Sequence, residues 1–283
     1  MTPKTLEVLA LNMERGVRLD AWVSFLEACQ PDILLASELD IGCDRSRKLD
    51  VPAELARRLG LHYVFAEEFR ELTQGGSHGN AIFSRYPIQW AKTVTLPREY
   101  DWFFDVQKRT GDRCALLAQL DVGGKPLGVG SIHLENRTGP EGRVRQLKTV
   151  LEEAERLFPR CPIVLGGDLN TNGFDGQDKA LIQKLSEDPS LHREYLEQVF
   201  QREPCLSLAR EYGYRILPEN GGTTRRKEIP GRAPLTLRLD WLLVKGVSIT
   251  DSGILSTKVG DLTLSDHDGV RARIIKQLTG TAV

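Results

Sequence analysis

Short apolar runs recur along the whole chain, and several of them end in, or are broken by, a single polar residue able to handle a metal or a proton. LEVLAL (Leu6–Leu11) stops at Asn12, PDILLAS runs into Glu38, and PIVLGG runs into Asp168 and Asn170. His133 sits in GVGSIHLEN, Asp240 lies inside LRLDWLLV, and Asp266 and His267 introduce the last apolar run. Short runs bounded in this way read as buried strands. Carboxylates inside or beside such strands are costly unless they are paired or bound to a cation. A chain with this many has to gather them, or leave several charges buried alone.

The runs predict strands at Leu6–Leu11, Ile33–Ala36, Leu61–Phe65, Ala81–Ser84, Ile88–Val94, Ala115–Val122, Leu127–Leu134, Pro162–Leu165, Thr236–Val244 and Val270–Ile275. Gly123-Gly124 marks a hairpin turn. Helical spacing appears at Leu19–Cys29, Pro52–Leu59, Glu141–Leu157, Gln177–Leu185 and Pro204–Tyr212. The stretch from Pro218 to Pro234, rich in Gly, Pro, Arg and Lys, reads as a long surface loop. Strands outnumber helices, and hairpins mix with helical crossovers, which favours two packed sheets with helices outside. No repeat or composition break divides the chain, so residues 1–283 are expected to form one domain.

Net charge is −1, which excludes a strongly basic nucleic-acid coat but leaves room for a local basic groove. No run of about 18 apolar residues is present, so a membrane span is not expected. Met1-Thr2-Pro3-Lys4 is not followed by an apolar signal region, and the five cysteines are scattered without metal spacing. Together these point to a cytoplasmic protein with reduced thiols.

Each polar interruption has a structural explanation when taken alone. Asn12 and Asp168-Leu169-Asn170 suit turns, Glu38 could open a solvated loop, and His133 could be a satisfied core histidine. Asp240 resists this, because it lies within an apolar alternating run. As a set they have one chemical logic. Glu, Asp and Asn offer hard oxygen ligands of the kind Mg²⁺ takes, and an Asp beside a His fixes the imidazole and stabilises its cation. Metal, oriented histidine and phosphate-holding amides make a site for water attack on a phosphoester.

In this order, LNMERG, PDILLASELD, HGNAIFSRYPI, SIHLEN, VLGGDLNT, LRLDWLLV and SDHDGV resemble the endonuclease/exonuclease/phosphatase superfamily. That is the metal-dependent fold of deoxyribonuclease I, exonuclease III, neutral sphingomyelinase and the inositol polyphosphate 5-phosphatases, and the match runs from about Leu6 to Ile275. The resemblance implies an α+β, four-layer sandwich in which two packed mixed β-sheets are flanked by helices. It implies Mg, with Mn as a substitute, held by Glu38 with Asn12 beside it and Asp266 nearby. Asp168 would orient or deprotonate the attacking water, and Asn170 would hold the phosphate. His267, oriented by Asp240, would be the acid/base histidine. His133 would contact the scissile phosphate or leaving group, and Arg113 would approach phosphate. Many bacterial members carry an acidic residue where this chain has Ser77-His78, which leaves His133 without an assigned carboxylate partner.

The resemblance implies a phosphodiesterase or nuclease acting on a phosphoester substrate, nucleic acid included, as a monomer with no membrane partner. A phosphomonoesterase acting on a small-molecule, inositol or sugar phosphate uses the same residues, and a binding protein on the same fold is a third alternative. SIHLEN followed by Arg143-Val144-Arg145-Gln146-Leu147-Lys148 is similar to the tyrosyl-DNA phosphodiesterase branch and also to uncharacterised bacterial members. Arg225-Arg226-Lys227 could grip a phosphate backbone or lie solvated. Arg45, Arg47 and Lys48 could rim the same cleft, while Trp102, Phe103 and Phe104 could stack on bases, pack inward or touch lipid.

Overall fold

Alternation along the strands builds this molecule in layers. The computed structural model describes residues 5–276; Met1-Thr2-Pro3-Lys4, read above for targeting, lies outside them. In chain order the strands are β1 (Thr5–Arg15), β2 (Ile33–Ile41), β3 (His62–Glu71), β4 (Ser77–Ser84), β5 (Ile88–Thr95), β6 (Arg109–Gly111), β7 (Cys114–Asp121), β8 (Pro126–His133) and β9 (Ile163–Asp168). They continue with β10 (Arg215–Leu217), β11 (Arg225–Lys227), β12 (Leu235–Leu237), β13 (Asp240–Lys245), β14 (Val247–Leu255), β15 (Lys258–Val259), β16 (Leu262–Thr263) and β17 (Gly269–Lys276). The helices are α1 (Leu19–Cys29), α2 (Val51–Leu59), α3 (Pro140–Leu157), α4 (Lys179–Glu187), α5 (Pro189–Glu197), α6 (Val199–Arg202) and α7 (Pro204–Glu211).

Seven strands form one sheet in the order β14-β17-β1-β2-β4-β3-β6, and six form the other in the order β10-β13-β9-β8-β7-β5. Both sheets are mixed, since β1 runs parallel to β2 and β8 parallel to β9 while their other neighbours are antiparallel. The short pairs β11-β12 and β15-β16 stand apart.

Successive side chains of a strand face opposite ways. Leu6, Val8 and Ala10 of β1, with Ile33 and Leu35 of β2, meet Val129, Val164 and Leu242 of the other sheet in the core between them. Leu9, Leu11 and Leu34 point outward onto Trp22, Phe25 and Leu26 of α1 and Leu55 of α2. On the far side, Leu117, Ile132, Leu165, Trp241 and Leu243 pack against α3 and α7 through Leu147, Val150, Leu151 and Leu206. The result is the four-layer sandwich expected from the sequence.

Local differences have local causes. β3 runs on to Glu71, well past the Phe65 at which the apolar run stops, because the acidic stretch Glu67–Glu71 is paired on both sides, by β4 and β6. The run read as Thr236–Val244 breaks at Arg238 and Leu239, so β12 pairs with β11 while β13 joins the main sheet. The expected loop from Pro218 to Pro234 thus contains a strand. α5 and β14 carry too weak an apolar stripe to be read from sequence; Tyr195 is the sole buried residue of α5.

Candidate active site

The same alternation that buries Val129, Val164 and Leu242 between the sheets sends their strand-mates His133, Asp168 and Asp240 to the same inner face. Register then sets them side by side, His133 opposite Asp168 and Asp168 opposite Asp240. Asn12 continues the inner row Leu6, Val8, Ala10 of the facing sheet. All four residues are buried. The Asp168 turn depends on Gly167, which has φ +139° and whose missing Cβ would lie 2.0 Å from the Ile132 carbonyl oxygen. A side chain there would push β8 away from β9.

Glu38 reaches the site by a different route. Strict alternation after Ile33 and Leu35 would turn Ser37 inward and Glu38 outward. The β2-β4 register slips between Ala36 and Leu39, and Glu38 takes φ +55°, which re-aims its side chain. A left-handed conformation in a non-glycine residue costs energy that functional sites commonly retain.

The Asn12 amide nitrogen donates to Glu38 Oε1 at 3.2 Å and to Asp168 Oδ2 at 3.1 Å, joining carboxylates from the two sheets. Asp168 Oδ2 lies 3.7 Å from both His133 Nε2 and His267 Nε2, and its Oδ1 accepts the Asn170 backbone N–H at 2.9 Å. Asn170, at φ +49°, donates one amide N–H to the Leu134 carbonyl. His267 Nδ1 stands 2.8 Å from Asp240 Oδ2. Burial opposes charge on His267, but Asp240 and Asp168 outweigh it and push its pKa up to about 9. Burial and the fields of His133, His78, Arg15 and His267 compete at Glu38, and the charges win, holding it well below the usual carboxylate range.

His133 has a carboxylate partner that the sequence did not disclose. Ser77 donates to Glu67 and His78 Nδ1 turns to Asp40 at 2.8 Å, so neither serves His133. Glu68, fully buried on the extended β3, lies 3.3 Å from His133 Nδ1. Asn80 of the HGNAIFSRYPI motif donates to Glu68 Oε1 and the Cys114 carbonyl, and the Gly79 before it is required because a Cβ would lie 2.0 Å from the Ala66 carbonyl oxygen. A hint existed in the sequence, two acids beside Phe69 in a stretch with strand-like aromatics, but charge masked the strand.

Arg113 is 4% exposed and lies behind His133, 2.8 Å from Nδ1, with Glu68 at 3.3 Å and Glu135 at 3.4 Å. It therefore faces the histidine rather than open solvent. Asp266 lies at the rim, 37% exposed, paired with Arg225 at 2.6 Å, and its backbone N–H reaches Glu14. Glu14 was not anticipated either; burial and the nearby Asp266 and Glu38 charges raise its pKa.

The remaining sequence candidates divide. Arg45 is tied inward to Asp40 and Glu71, and Lys48 pairs with Asp44. Arg226 pairs with Asp268. Trp102 is buried and donates to Glu135, whereas Phe103 and Phe104 face solvent, Phe104 at 80% exposure.

One group of metal-competent side chains stands out among the described residues: Asp168, Asp240 and His267 offer atoms within 4.8 Å of one another. His267, however, is bonded to Asp240 through Nδ1 and holds its proton strongly, and an imidazolium has no lone pair to offer a metal. The carboxylate oxygens of Glu38 and Asp168 are the better hard-cation set, steadied by the Asn12 amide nitrogen while Asn12 Oδ1 accepts the Glu14 N–H. Two carboxylates converging from facing sheets fit a cation bound between them.

The fold is a two-sheet sandwich with a buried cluster of carboxylates and imidazoles between the sheets. The chain belongs to the Endonuclease/Exonuclease/phosphatase family, whose model matches residues 10–267, and members of this family are generally phosphoester hydrolases. No curated protein matches the chain in sequence. Solved structures share the fold. An endonuclease/exonuclease/phosphatase from Beutenbergia cavernae is 21% identical with TM-score 0.67, over 96% of this chain and 72% of that one. The human Nocturnin catalytic domain with bound sulfate is 16% identical with TM-score 0.63, over 96% and 93% of the two chains. D. rerio TDP2 complexed with a single-strand DNA product is 16% identical with TM-score 0.59, over 96% and 99%.

Proposed function

We propose that this protein is a metal-dependent phosphodiesterase, hydrolysing a phosphodiester by in-line attack of water. One observation carries the proposal. Asp168 Oδ2 sits between two histidines, 3.7 Å from each, and one of these is held as a cation by Asp240. An oriented carboxylate beside a fixed imidazolium is an acid–base pair with divided roles.

Asp168 positions the water and takes its proton, while its other oxygen is held by the Asn170 N–H. His267 donates from Nε2 to a phosphoryl oxygen as negative charge builds there, and Asp240 keeps it protonated and aimed. His133, braced by Glu68 and Arg113, faces the leaving group. Asn170 retains a second amide N–H for phosphate, the first being taken by Leu134. Glu38 would hold the divalent cation with Asp168 alongside and Asn12 steadying both carboxylates, and the bound ion would polarise the phosphoryl oxygen and offset its charge.

Hydrolysis of bis(p-nitrophenyl) phosphate beside p-nitrophenyl phosphate, with Mg²⁺, Mn²⁺ or EDTA, tests this. Diester cleavage that needs the metal and is lost in Asp168→Ala is expected. Cleavage of the monoester alone would replace the proposal with a phosphomonoesterase.

A further inference from the structure

A second cationic feature lies beside this site. Four basic side chains, Arg137, Lys179, Lys227 and Arg232, line a pocket of about 500 Å³ together with Ile182 and Ile229, and no carboxylate is among its lining residues. The volume is in the range of ligand pockets. Arg137 has Asp105 at 3.4 Å and Arg232 has Glu187 at 2.8 Å, both outside the lining. Lys179 and Lys227 have no ion-pair partner among the described residues. Like charges gathered in a concave, partly apolar space repel one another, and an anion received there would relieve this. Lys227 is half-buried, and burial with Arg225 and Arg137 nearby lowers its pKa.

The pocket is joined to the catalytic centre by β11. Arg225 at one end of that strand bridges to His267 and pairs with Asp266. Lys227 is two residues further, roughly 7 Å along an extended chain. On the opposite side Arg137 follows His133 by four residues. Of the Arg225-Arg226-Lys227 cluster, the two arginines are consumed by Asp266 and Asp268, and Lys227 alone is left to the pocket.

We infer that this pocket receives a second phosphate of the same substrate, next to the scissile one, with the attached nucleoside lying on Ile182 and Ile229. The inference rests on the phosphodiesterase reading above and narrows it to substrates that carry at least two phosphates. A nucleotide chain fits better than a sugar bisphosphate, because the two isoleucines offer an apolar floor that a polyol would leave unused.

The test is equilibrium binding in EDTA, which reads affinity without turnover. The probes are a 5′-phosphorylated thymidine dinucleotide, the same dinucleotide without that phosphate, and fructose 1,6-bisphosphate. The parent is expected to prefer the phosphorylated dinucleotide by about tenfold, the scale of one charge-assisted phosphate contact. In Lys227→Met that preference should fall to about twofold or less, while the unphosphorylated dinucleotide binds as before. Arg232→Met, at an exposed position, repeats the measurement should Lys227→Met not fold. Equal binding of the two dinucleotides by the parent, or a preference that survives both substitutions, would overturn the inference. Fructose 1,6-bisphosphate binding as tightly as the phosphorylated dinucleotide, with the same loss in Lys227→Met, would keep the phosphate pocket and replace the nucleotide with a small bisphosphate. Hydrolysis of bis(p-nitrophenyl) phosphate by the parent is scored separately, so failure of the catalytic proposal and failure of the pocket are told apart.

Discussion

Asp240 Oδ2 lies 2.8 Å from His267 Nδ1 across the gap between the two sheets, and both groups are buried. Burial alone would strip the proton from His267. Asp240, helped by Asp168, reverses this and lifts the pKa to about 9. A base whose pKa is raised keeps its proton below that value and loses it as pH rises through it.

The parent should therefore hold its activity into mildly alkaline solution and decline near pH 9. Asp240→Asn removes the main charge that keeps the imidazolium, so its alkaline decline should begin at lower pH, and turnover near pH 8 should drop about 10²-fold or more. The measurement is kcat/KM against pH at saturating Mg²⁺. Superimposable alkaline limbs for parent and variant would remove Asp240 from the role of holding the His267 proton.

Glu68 offers a second test. Burial acts to raise its pKa, but His133 and Arg113 outweigh that and hold it down, so it stays ionised between them. Glu68→Gln keeps the shape and removes the charge. His133 then loses the carboxylate at Nδ1, and Arg113 keeps Glu135 as its carboxylate. Activity should fall by about 10²-fold through kcat more than KM, as expected when a positioned acid–base group is loosened. Stability should fall by about 1–3 kcal/mol, the cost of thinning a buried charge network. A variant with parental kcat and a lower melting temperature would make Glu68 a structural residue only.

Arg143 and Glu203 form an ion pair with no exposure of either side chain, at 2.5 Å. Arg143 also donates to the Thr138 and Phe174 carbonyls, and Glu203 accepts the Gly173 N–H. The pair ties α3 to the chain following Asp168, and Gln146 on the same helix holds the Glu135 N–H. Arg143→Met should cost about 3–5 kcal/mol, because it leaves a buried carboxylate alone. Arg143→Met with Glu203→Met should recover most of that loss. Urea unfolding of parent, single and double variants decides it; a double variant no more stable than the single one would show that the two side chains do not act as a pair.

Those residues also mark how far the sequence could be read. Where polar groups interrupt alternating apolar runs, position and orientation follow together: His133, Asp168, Asp240 and Asn12 fall on the inner face because Val129, Val164, Leu242 and Ala10 do. Glu38 was legible as a residue type but not as a geometry, since a register slip rather than alternation turns it inward. Glu14 was illegible, and Glu68 left only the hint of two acids beside Phe69. Glu68 is paired with Arg113, 45 residues away, and Glu14 meets the Asp266 backbone N–H, 252 residues away, relations that no local pattern encodes. The Arg143–Gln146 spacing suggested a substrate class, yet these side chains hold the scaffold instead. The long loop before Asp240 hid β11 for a related reason: three basic residues make a strand only when β12 and the Asp266–Asp268 turn are there to pair with them.

His78 supplies a prediction about stability rather than turnover. It is buried beside Asp40 and Arg45, with Nδ1 2.8 Å from Asp40, and Arg45 in turn pairs with Glu71. Burial lowers its pKa, and the Arg109 charge adds to this, against the opposing pull of Asp40 and Glu38. A base with a depressed pKa favours the folded state while it is neutral. That contribution is intact above the unfolded value, near 6.5, and is lost as pH falls below it, because the unfolded chain then takes up the proton more readily. The parent should therefore lose thermal stability between about pH 7 and pH 5 more steeply than His78→Gln, which has no proton to gain. The two melting curves should converge toward the acidic end, with the parent the more stable at pH 7. Parallel loss of melting temperature in both proteins across that window would assign the acid sensitivity to the surrounding carboxylates and clear His78 of it.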